Sequence, residues 1–306
     1  MTLDFRNITI CNACIRSSRL DSTNSFGFYC GYTSGGATPA ATNVIDKFPF
    51  ASNANATDVG DLSQARTAPA GQSSTVSGYS SGGYPPVNNT IDKFPFASDG
   101  NATDVGDLTQ VRYGSAGQSS TVSGYTSGGS APSPSLTNTI DKFPFATNAN
   151  ATDVGDLTVA RAGPAGQSST ASGYTSGGCA PAISNVIDKF PFATNANATD
   201  VGDLTVARLG SAGQSSTVSG YTSGGLYTFN TIDKFPFASD GNATDVGDLT
   251  VSRYYVTGQS SSASGYSSGG YNGSTTIDKF PFASDANATN VGVLTQARVY
   301  AAGQQR

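Results

Sequence analysis

Histidine and tryptophan are absent from the 306 residues of this chain, and methionine occurs once. Without histidine the chain has no Ser-His-Asp or Cys-His site for nucleophilic catalysis. Among the four cysteines, Cys11 and Cys14 form the only Cys-x-x-Cys spacing, so a four-ligand zinc site within one chain is not expected either. We therefore predict a protein that is not an enzyme and that has no catalytic residue, metal or cofactor.

Charged residues and long apolar runs are also scarce. Charged residues make up 12% of the chain, and 21 acidic against 16 basic residues give a net charge of −5. Nucleic-acid partners are not expected, because they require basic patches that neutralise phosphates. The sequence contains no run of about 18 apolar residues, which a membrane-spanning helix would need. The N-terminal MTLDFRNITICNACIRSS does not resemble a secretory signal. Either the protein stays where it is made or it leaves by another route, for example inside an assembled particle. Of these possibilities, we expect a location in a virion or outside the cell.

A sixfold internal repeat dominates the rest of the sequence. The motif IDKFPF recurs at intervals of 46, 49, 47, 45 and 45 residues, starting at Ile45, Ile91, Ile140, Ile187, Ile232 and Ile277. The motifs GY[TS]SGG and Gly-Gln recur with the same count and period. The composition is rich in Ser, Thr, Asn and Gly, which is typical of disorder. Disorder would not keep Tyr, Phe and Ile in phase, so the repeat indicates a folded array.

Each repeat unit contains four short strand-like segments and no helical periodicity. This pattern predicts an all-β protein, a six-bladed β-propeller of four-stranded antiparallel blades. We expect residues 299–305 to supply the innermost strand of the first blade, beside the segment 28–35, so that N- and C-terminal strands share a blade. The segment after Arg19 is a competing candidate for that position. The predicted domains are a propeller over residues 21–306 and an N-terminal arm over residues 1–20, an extra strand for anchoring or self-association.

The order of motifs resembles the kelch repeat. Kelch blades end the second strand with a Gly-Gly doublet, here Gly128-Gly129, which follows an aromatic residue, here Tyr125. The resemblance extends from about Arg19 to Gln304 and implies a propeller. It departs where kelch repeats have tryptophan at the start of the fourth strand, because valine stands there in all six units. The wording of the repeat is also similar to that of uncharacterised repeat proteins of marine tailed phages.

Differences between the units are concentrated in two loops, one after Gly-Gly and one after the repeated Arg. In an up-and-down blade both loops emerge on the same face, which we call the variable face. Aromatic residues on irregular loops are suited to recognition. The candidate binding residues on this face are Tyr84, Tyr113, Tyr227, Phe229, Tyr254, Tyr255, Tyr271 and Tyr300. The alternative is that these loops vary because nothing restrains them.

Three further groups of residues have candidate roles. A ring of glutamines is predicted to line the central channel, or alternatively to hydrogen-bond between blades: Gln72, Gln118, Gln167, Gln214, Gln259 and Gln304. Cys30 could form a disulfide with Cys11 or Cys14. The acids recur in almost every unit, as in Asp46, Asp58 and Asp61, so we expect them to stabilise turns or pair with Arg or Lys. Asn-Ala-Thr occurs six times and is interpreted as a turn motif rather than a glycosylation site.

These features favour a non-enzymatic structural or adhesive repeat protein, a subunit of a virion or extracellular assembly. Its partners would be other copies of itself or other structural proteins, bound through the N-terminal arm and the variable face. The alternative is a lectin-like propeller that binds glycans in equivalent pockets between blades through Asp, Asn and Tyr. A glycoside-acting enzyme ranks behind both, because it needs a unique pair of acids and the acids here are repeated.

Overall fold

The computed structural model describes residues 29–132, 135–226, 229–271 and 274–306. Within these ranges the chain forms six four-stranded antiparallel sheets and two small hairpins, without any helix. The innermost strand of each sheet contacts the innermost strand of the next, and these contacts close into a ring. The predicted all-β, six-bladed propeller is therefore confirmed. Because the described residues include no long apolar helix, none of them forms a helical membrane span.

The strands of the first three blades follow the predicted segments. Blade 1 and a small hairpin in its loop comprise β1 (Cys30–Ser34), β2 (Ala37–Thr38), β3 (Ala40–Ala41), β4 (Val44–Pro49) and β5 (Thr57–Asp61). Blade 2 comprises β6 (Ala70–Ser73), β7 (Ser77–Gly83), β8 (Asn88–Pro95) and β9 (Thr103–Asp107). Blade 3 comprises β10 (Ala116–Ser119), β11 (Ser123–Ser127), β12 (Thr139–Pro144) and β13 (Thr152–Asp156).

The remaining blades repeat the same order. Blade 4 and its loop hairpin comprise β14 (Ala165–Ser168), β15 (Ser172–Ser176), β16 (Cys179–Ala180), β17 (Ala182–Ile183), β18 (Val186–Pro191) and β19 (Thr199–Asp203). Blade 5 comprises β20 (Ala212–Ser215), β21 (Ser219–Ser223), β22 (Thr231–Pro236) and β23 (Thr244–Asp248). Blade 6 comprises β24 (Thr257–Ser260), β25 (Ser264–Ser268), β26 (Thr276–Pro281) and β27 (Thr289–Val293), and β28 (Ala302–Gln305) follows it.

Strand β28 is the innermost strand of blade 1. It pairs antiparallel with β1, from Gly31 opposite Gln305 to Ser34 opposite Ala302. The predicted closure by N- and C-terminal strands that share a blade is confirmed, and the competing segment after Arg19 does not take that place. The predicted arm over residues 1–20 and its boundary lie outside the described residues, so the arm stays a prediction.

Small residues in the innermost strands allow six strands to meet at the axis. A Cβ atom added to Gly117 would lie 2.1 Å from the carbonyl oxygen of Gly71 in the preceding blade. The equivalent glycines of the other blades have the same close contact. The glycine of the Ala-Gly-Gln-Ser motif is thus required by the close approach of one backbone to the next.

Aromatic residues form the core between neighbouring blades. Tyr79 on the second strand of blade 2 packs against Phe143 on the third strand of blade 3 and against Phe145 just beyond its end, with ring centroids 5.5 and 4.9 Å apart. The same triad occurs at every interface, including Tyr266 with Phe48 and Phe50 between blade 6 and blade 1. Such pairs contribute about 0.5–1.5 kcal/mol each beyond the burial of their area. The Phe-Pro-Phe motif therefore joins blades as well as building them.

A buried ion pair anchors each linker between blades. The Arg112 guanidinium lies 2.7 Å from the Asp141 carboxylate, and both side chains are fully buried. Asp141 also accepts hydrogen bonds from the backbone N–H and the hydroxyl of Thr109, which begins the linker. Equivalent pairs occur in all six blades, and Arg298 with Asp46 ties the last linker to blade 1. A β-bulge beside each of these acids shifts the register of the outermost strand.

Candidate binding face and axial pocket

The two variable loops of each blade lie side by side. Isolated β-bridges join the loop after Arg to the loop after Gly-Gly, as in Thr67 with Tyr84 and Tyr113 with Ser130. Because strands alternate in direction, these loops share one end of the ring, and the near-identical Ser-Ser-Thr turns lie at the other. The variable face is thus a contiguous surface around the axis.

The predicted aromatic residues fall into two clusters on this face. Tyr84 and Tyr113 contact each other, with centroids 5.8 Å apart. The second cluster is a chain of four tyrosines in which each ring contacts the next. Tyr271 stacks on Tyr254 at 4.6 Å, Tyr254 meets Tyr255 edge-on at 4.8 Å, and Tyr255 stacks on Tyr300 at 3.6 Å.

Of the remaining two predicted residues, one is described by the structure and does not join these clusters. Phe229 is half-buried, and it forms no ring contact with another aromatic residue of the described ranges. Tyr227 lies outside the described residues. Among the described residues, one aromatic cluster lies over blades 2 and 3 and the other over blades 6 and 1.

A closed ring of backbone hydrogen bonds surrounds the axis on the variable face. The second residue after each repeated Arg donates its N–H to the carbonyl of the equivalent residue in a neighbouring blade, as from Gly114 to Ala68 at 2.8 Å. Six such bonds complete the circle, which we call the collar, and its residues are Ala68, Gly114, Gly163, Gly210, Tyr255 and Tyr300. Sequence reasoning missed the collar, although an alignment of the units would have shown glycine in three of these positions.

Every collar residue has a positive φ angle, and two of them are tyrosines. Tyr255 and Tyr300 both have φ of 55°, whereas Gly114, Gly163 and Gly210 lie between 63° and 67°. A bulky residue in the left-handed region costs on the order of 1–3 kcal/mol and persists where surrounding structure holds it. Two adjacent blades thus accept a strained tyrosine where three others have glycine.

The collar surrounds a shallow pocket on the axis, with a volume of about 260 Å³. We call it the axial pocket. Its lining includes Tyr255 and Tyr300 of blades 6 and 1, and Tyr113, Gly163 and Leu209 of blades 3, 4 and 5. Burial and a hydrogen bond with Tyr255 raise the pKa of the Tyr300 hydroxyl. Among the described residues that line the pocket, none carries a charged side chain.

Ser211 is a polar residue of this pocket that sequence reasoning did not single out. It is only 7% exposed, and its hydroxyl has no hydrogen-bond partner within the described part of the chain. The equivalent residue of blade 3, Ser115, donates its hydroxyl to Gly128 O at 2.9 Å. No sequence signal separates the two serines, because both stand in the same Gly-Ser-Ala wording.

The glutamines of the predicted channel ring have their amide groups between blades. The Gln72 Nε2 donates to Ser81 Oγ in its own blade, and to Tyr125 O and Thr126 Oγ1 of the next blade at 3.0 and 2.9 Å. All six glutamines make this set of bonds and are 0–1% exposed. These amides make the hydrogen bonds between blades that were the alternative to lining the channel, so their Nε2 groups have protein partners.

The opposite end of the axis contains a second cavity of about 370 Å³, lined by the repeated Gly-Gln-Ser-Ser-Thr segments. Serine hydroxyls of these segments accept hydrogen bonds from the backbone N–H of the preceding blade, as from Ser73 N to Ser119 Oγ at 2.9 Å. The repeated Gly-Gln-Ser-Ser-Thr segments thus join neighbouring blades at this end of the axis.

The repeated acids and asparagines have structural partners. The Asp153 carboxylate accepts a bond from Gly155 N at 3.1 Å, and Asn290 makes the same bond with Gly292 N in blade 6. The Asn of each Asn-Ala-Thr accepts a bond from a backbone N–H of a neighbouring blade, as Asn101 does from Asp61 at 3.0 Å. Within the described ranges, no group of three or more His, Cys, Asp or Glu side chains could hold a metal ion.

Two of the four cysteines, Cys30 and Cys179, lie among the described residues. Cys30 is fully buried in β1, and Cys11 and Cys14 lie outside the described residues, so the disulfide stays a prediction. Cys179 has a free thiol and lies in the loop hairpin of blade 4 beside the axial pocket.

Comparison with known proteins identifies the fold. No protein-family model matches the sequence, and no curated protein matches it. Among solved structures 441 chains match, and such a widespread fold does not specify a function. One of them is the structure of YjhT, with a TM-score of 0.65 and 13% sequence identity over 79% of this chain and 88% of that chain. This chain is a β-propeller. At 13% identity the likeness extends to the fold alone, so function has to be argued from the chain's own surfaces.

Proposed function

We propose that this protein is a non-enzymatic structural or adhesive propeller, a subunit of a virion or extracellular assembly. It makes its contacts through the variable face and through the N-terminal arm of residues 1–20. The carrying observation is that nearly all sequence differences occur on one face of an otherwise uniform ring, together with three of the four exposed aromatic residues of the described ranges, Tyr84, Tyr271 and Tyr300. Tyr and Phe are enriched in protein interfaces, where they supply area and a polar group together.

The uniform part of each unit supports this assignment because its polar groups are already used inside the ring. Asp141 is paired with Arg112, Gln118 bonds to the next blade, and Asn150 accepts a bond from Asp107 N. Six equivalent acids in six equivalent environments offer no distinct catalytic pair. The variable face is left as the surface on which a partner can be specified.

The repeat wording supports the finer parts of the proposal. The Gly-Gly doublets after an aromatic residue favour a kelch-like propeller, a class that we propose here on sequence resemblance. The similarity to repeat proteins of marine tailed phages favours a virion over other extracellular assemblies. A lectin-like propeller with pockets between blades is less favoured, because the Asp and Asn side chains at those interfaces have protein partners.

The proposal is tested by association of the purified chain. Tyr84 and Tyr271, each 49% exposed on the variable face, are replaced by Ser. The matched control replaces Val76 and Val122, 65% and 66% exposed on the opposite face. Sedimentation velocity over a concentration series, with electron microscopy of the same samples, is expected to show assemblies for wild type and control and a loss of assembly for the tyrosine variant.

A chain that lacks residues 1–20 separates the contribution of the arm from that of the face. A wild-type chain and a shortened chain that are both monomeric at all concentrations would remove the self-assembly claim. Equal loss of assembly in the tyrosine variant and the valine control would remove the claim for the variable face.

A further inference from the structure

We propose that the variable face binds the variable face of a second copy of this chain, and that a twofold axis in the plane between the two rings relates the copies. The axis passes between blades 1 and 2 and, on the other side of the ring, between blades 4 and 5. The inference rests on the proposed function and deepens it, because it names the partner of the contact face and the register in which the two faces meet.

The segments that build the variable face carry no charge except that of the repeated Arg. In every unit the linker between blades and the two variable loops contain no Asp, Glu or Lys. Each repeated Arg is buried in an ion pair with Asp. Protein interfaces are depleted of charge at their centre and enriched in Tyr. Since the chain has a net charge of −5, two copies repel each other least where both present an uncharged surface.

Three exposed valines occupy consecutive linkers on this face. Val159, Val206 and Val251 are 51%, 41% and 62% exposed, and they have the same position in the linkers from blade 3 to 4, from 4 to 5 and from 5 to 6. The other three linkers have Gln at this position. Gln110 Nε2 donates to Thr137 Oγ1 at 2.8 Å, whereas the valines leave apolar side chains in solvent. Exposed apolar groups that are collected on one part of a surface are typical of a contact site.

The positions of the valines select the axis. A twofold axis between two facing rings reverses the order of the blades, so each linker of one copy lies opposite a particular linker of the other. With the proposed axis, Val206 lies opposite Val206 of the second copy, and Val159 lies opposite Val251 of the second copy. The three linkers with Gln are paired with one another in the same way. No other twofold axis of a six-bladed ring places all three valines opposite valines.

The same axis places the exposed tyrosines that follow Gly-Gly opposite small residues. Blade 1 of one copy faces blade 2 of the other, blade 3 faces blade 6, and blade 4 faces blade 5. At the position directly after the repeated Arg, blades 3 and 6 instead place a tyrosine opposite a tyrosine, where the two rings can stack. The pairs between the copies are Tyr84 with Ala37, Tyr271 with Ser130, and Tyr113 with Tyr254.

The strained tyrosines of the collar acquire a role in this arrangement. Tyr255 and Tyr300 have φ angles of 55° where three sibling blades have glycine. With the proposed axis, Tyr300 is opposite Ala68 of the second copy, and Tyr255 is opposite Gly114 of the second copy. Backbone strain of this kind is concentrated at functional sites. Tyr300 is 37% exposed, so it can contact the second ring where that ring has a small residue.

Disulfide cross-linking of variants with one added cysteine tests the axis directly. All variants carry Cys179→Ser, because Cys179 has a free thiol in a loop of the same face. Val206→Cys is expected to form a cross-linked dimer with itself, since the axis passes this position. Val159→Cys and Val251→Cys are expected to cross-link only when the two variants are mixed. The chain with Cys179→Ser alone is the control, and non-reducing electrophoresis measures the product.

Sedimentation equilibrium of the full-length chain measures the strength of the pairing. Val206→Asp is expected to raise the dissociation constant of the dimer about ten-fold or more, because two carboxylates would face each other across the axis. Val76→Asp, at a residue 65% exposed on the opposite face, is the matched control and should leave the constant unchanged. Replacement of all three valines by Gln should also weaken the dimer, and Gln already stands at this position in the other linkers. Thermal unfolding establishes that each variant is folded.

The inference is overturned if wild type is monomeric at every concentration, which would assign the face to a different partner, or if Val206→Asp pairs as wild type does. It is also overturned if Val206→Cys gives no more cross-linked dimer than the control. Its failure is separate from that of the proposed function. Assembly that is lost in the Tyr84 and Tyr271 variant, without cross-linking at Val206, would retain the contact face and remove the twofold pairing.

Discussion

One missing Cβ atom in each innermost strand decides how closely the six blades approach the axis. At Gly166 an added Cβ would lie 2.3 Å from the carbonyl oxygen of Gly117, and the obstructing atoms belong to backbone rather than to a movable side chain. Two blades would have to separate to admit it. The absence of a side chain at these glycines thus determines how closely the blades pack around the axis.

Replacing Gly166 by Ala is expected to lower the free energy of unfolding by about 1–3 kcal/mol or more, as overpacking of a tight core does. Gly100→Ala is the matched control, because nothing lies within 4 Å of a Cβ at Gly100; it should change stability by about 0.5 kcal/mol or less. Urea unfolding followed by circular dichroism measures both. Equal effects of the two variants would contradict the close contact at the axis.

At the scale of elements, the linker between blades is held by a buried carboxylate and a turn is held by an exposed one. Asp141 pairs with Arg112 and accepts two bonds from Thr109. Burial lowers the pKa of the Arg112 guanidinium, and the negative charge of Asp141 opposes that shift. Asp153 accepts one bond from Gly155 N, which Asn290 reproduces in blade 6.

Asp141→Ala is therefore expected to cost about 3–5 kcal/mol of unfolding free energy, because it leaves the Arg112 charge buried without a partner. Asp153→Asn should be close to neutral, since blade 6 has an Asn at the equivalent position. Chemical denaturation of the two variants beside wild type provides the comparison. A neutral Asp141→Ala would mean that the ion pair does not hold the linker.

The elements differ in how far the sequence foretells them. The Gly-Tyr and Phe-Pro-Phe strands and the closing strand β28 follow from the repeat, because an in-phase pattern of apolar residues reports burial directly. The bulge beside Asp141 could not be predicted in the same way, since it depends on register between strands. The collar depends on contact between equivalent loops of neighbouring blades. The lack of a hydrogen-bond partner for the buried Ser211 hydroxyl depends on the three-dimensional surroundings of one blade, because Ser211 and Ser115 stand in the same Gly-Ser-Ala sequence.

At the scale of the whole molecule, the six interfaces between blades share a sensitivity to high pH. Each contains a tyrosine hydroxyl near the blade edge, and burial raises the pKa of Tyr266 to about 12. Burial also raises the pKa of the other five, Tyr32, Tyr79, Tyr125, Tyr174 and Tyr221. The fold therefore favours the neutral phenol, and this contribution is complete below pH 10, the ordinary tyrosine pKa.

The free energy of unfolding is expected to fall as pH rises from 10 through about 12, because the unfolded chain releases tyrosine protons that the native state retains. Denaturant titrations across this range measure the decline, and Tyr266→Phe should make it shallower. Lys189 and Lys234, whose pKa is raised by hydrogen bonds to Asp240 and Asp285, add a loss of their own. Added salt screens those exposed pairs and leaves the tyrosine effect. A flat profile between pH 10 and 12 would contradict the prediction.

Because β28 is the C-terminal strand, its pairing with β1 can form only after almost the whole chain has been synthesised. Ser34 and Gln304, which bond across this pair, are separated by 270 residues. At about 5–20 residues per second, a ribosome needs roughly 15–55 s to supply the partner of β1. During that interval the nascent first blade presents an unmatched inner edge. Neighbouring ribosomes on one messenger RNA thus carry incomplete propellers whose strands can pair with one another. The rate of translation therefore influences whether separate or strand-exchanged rings are produced.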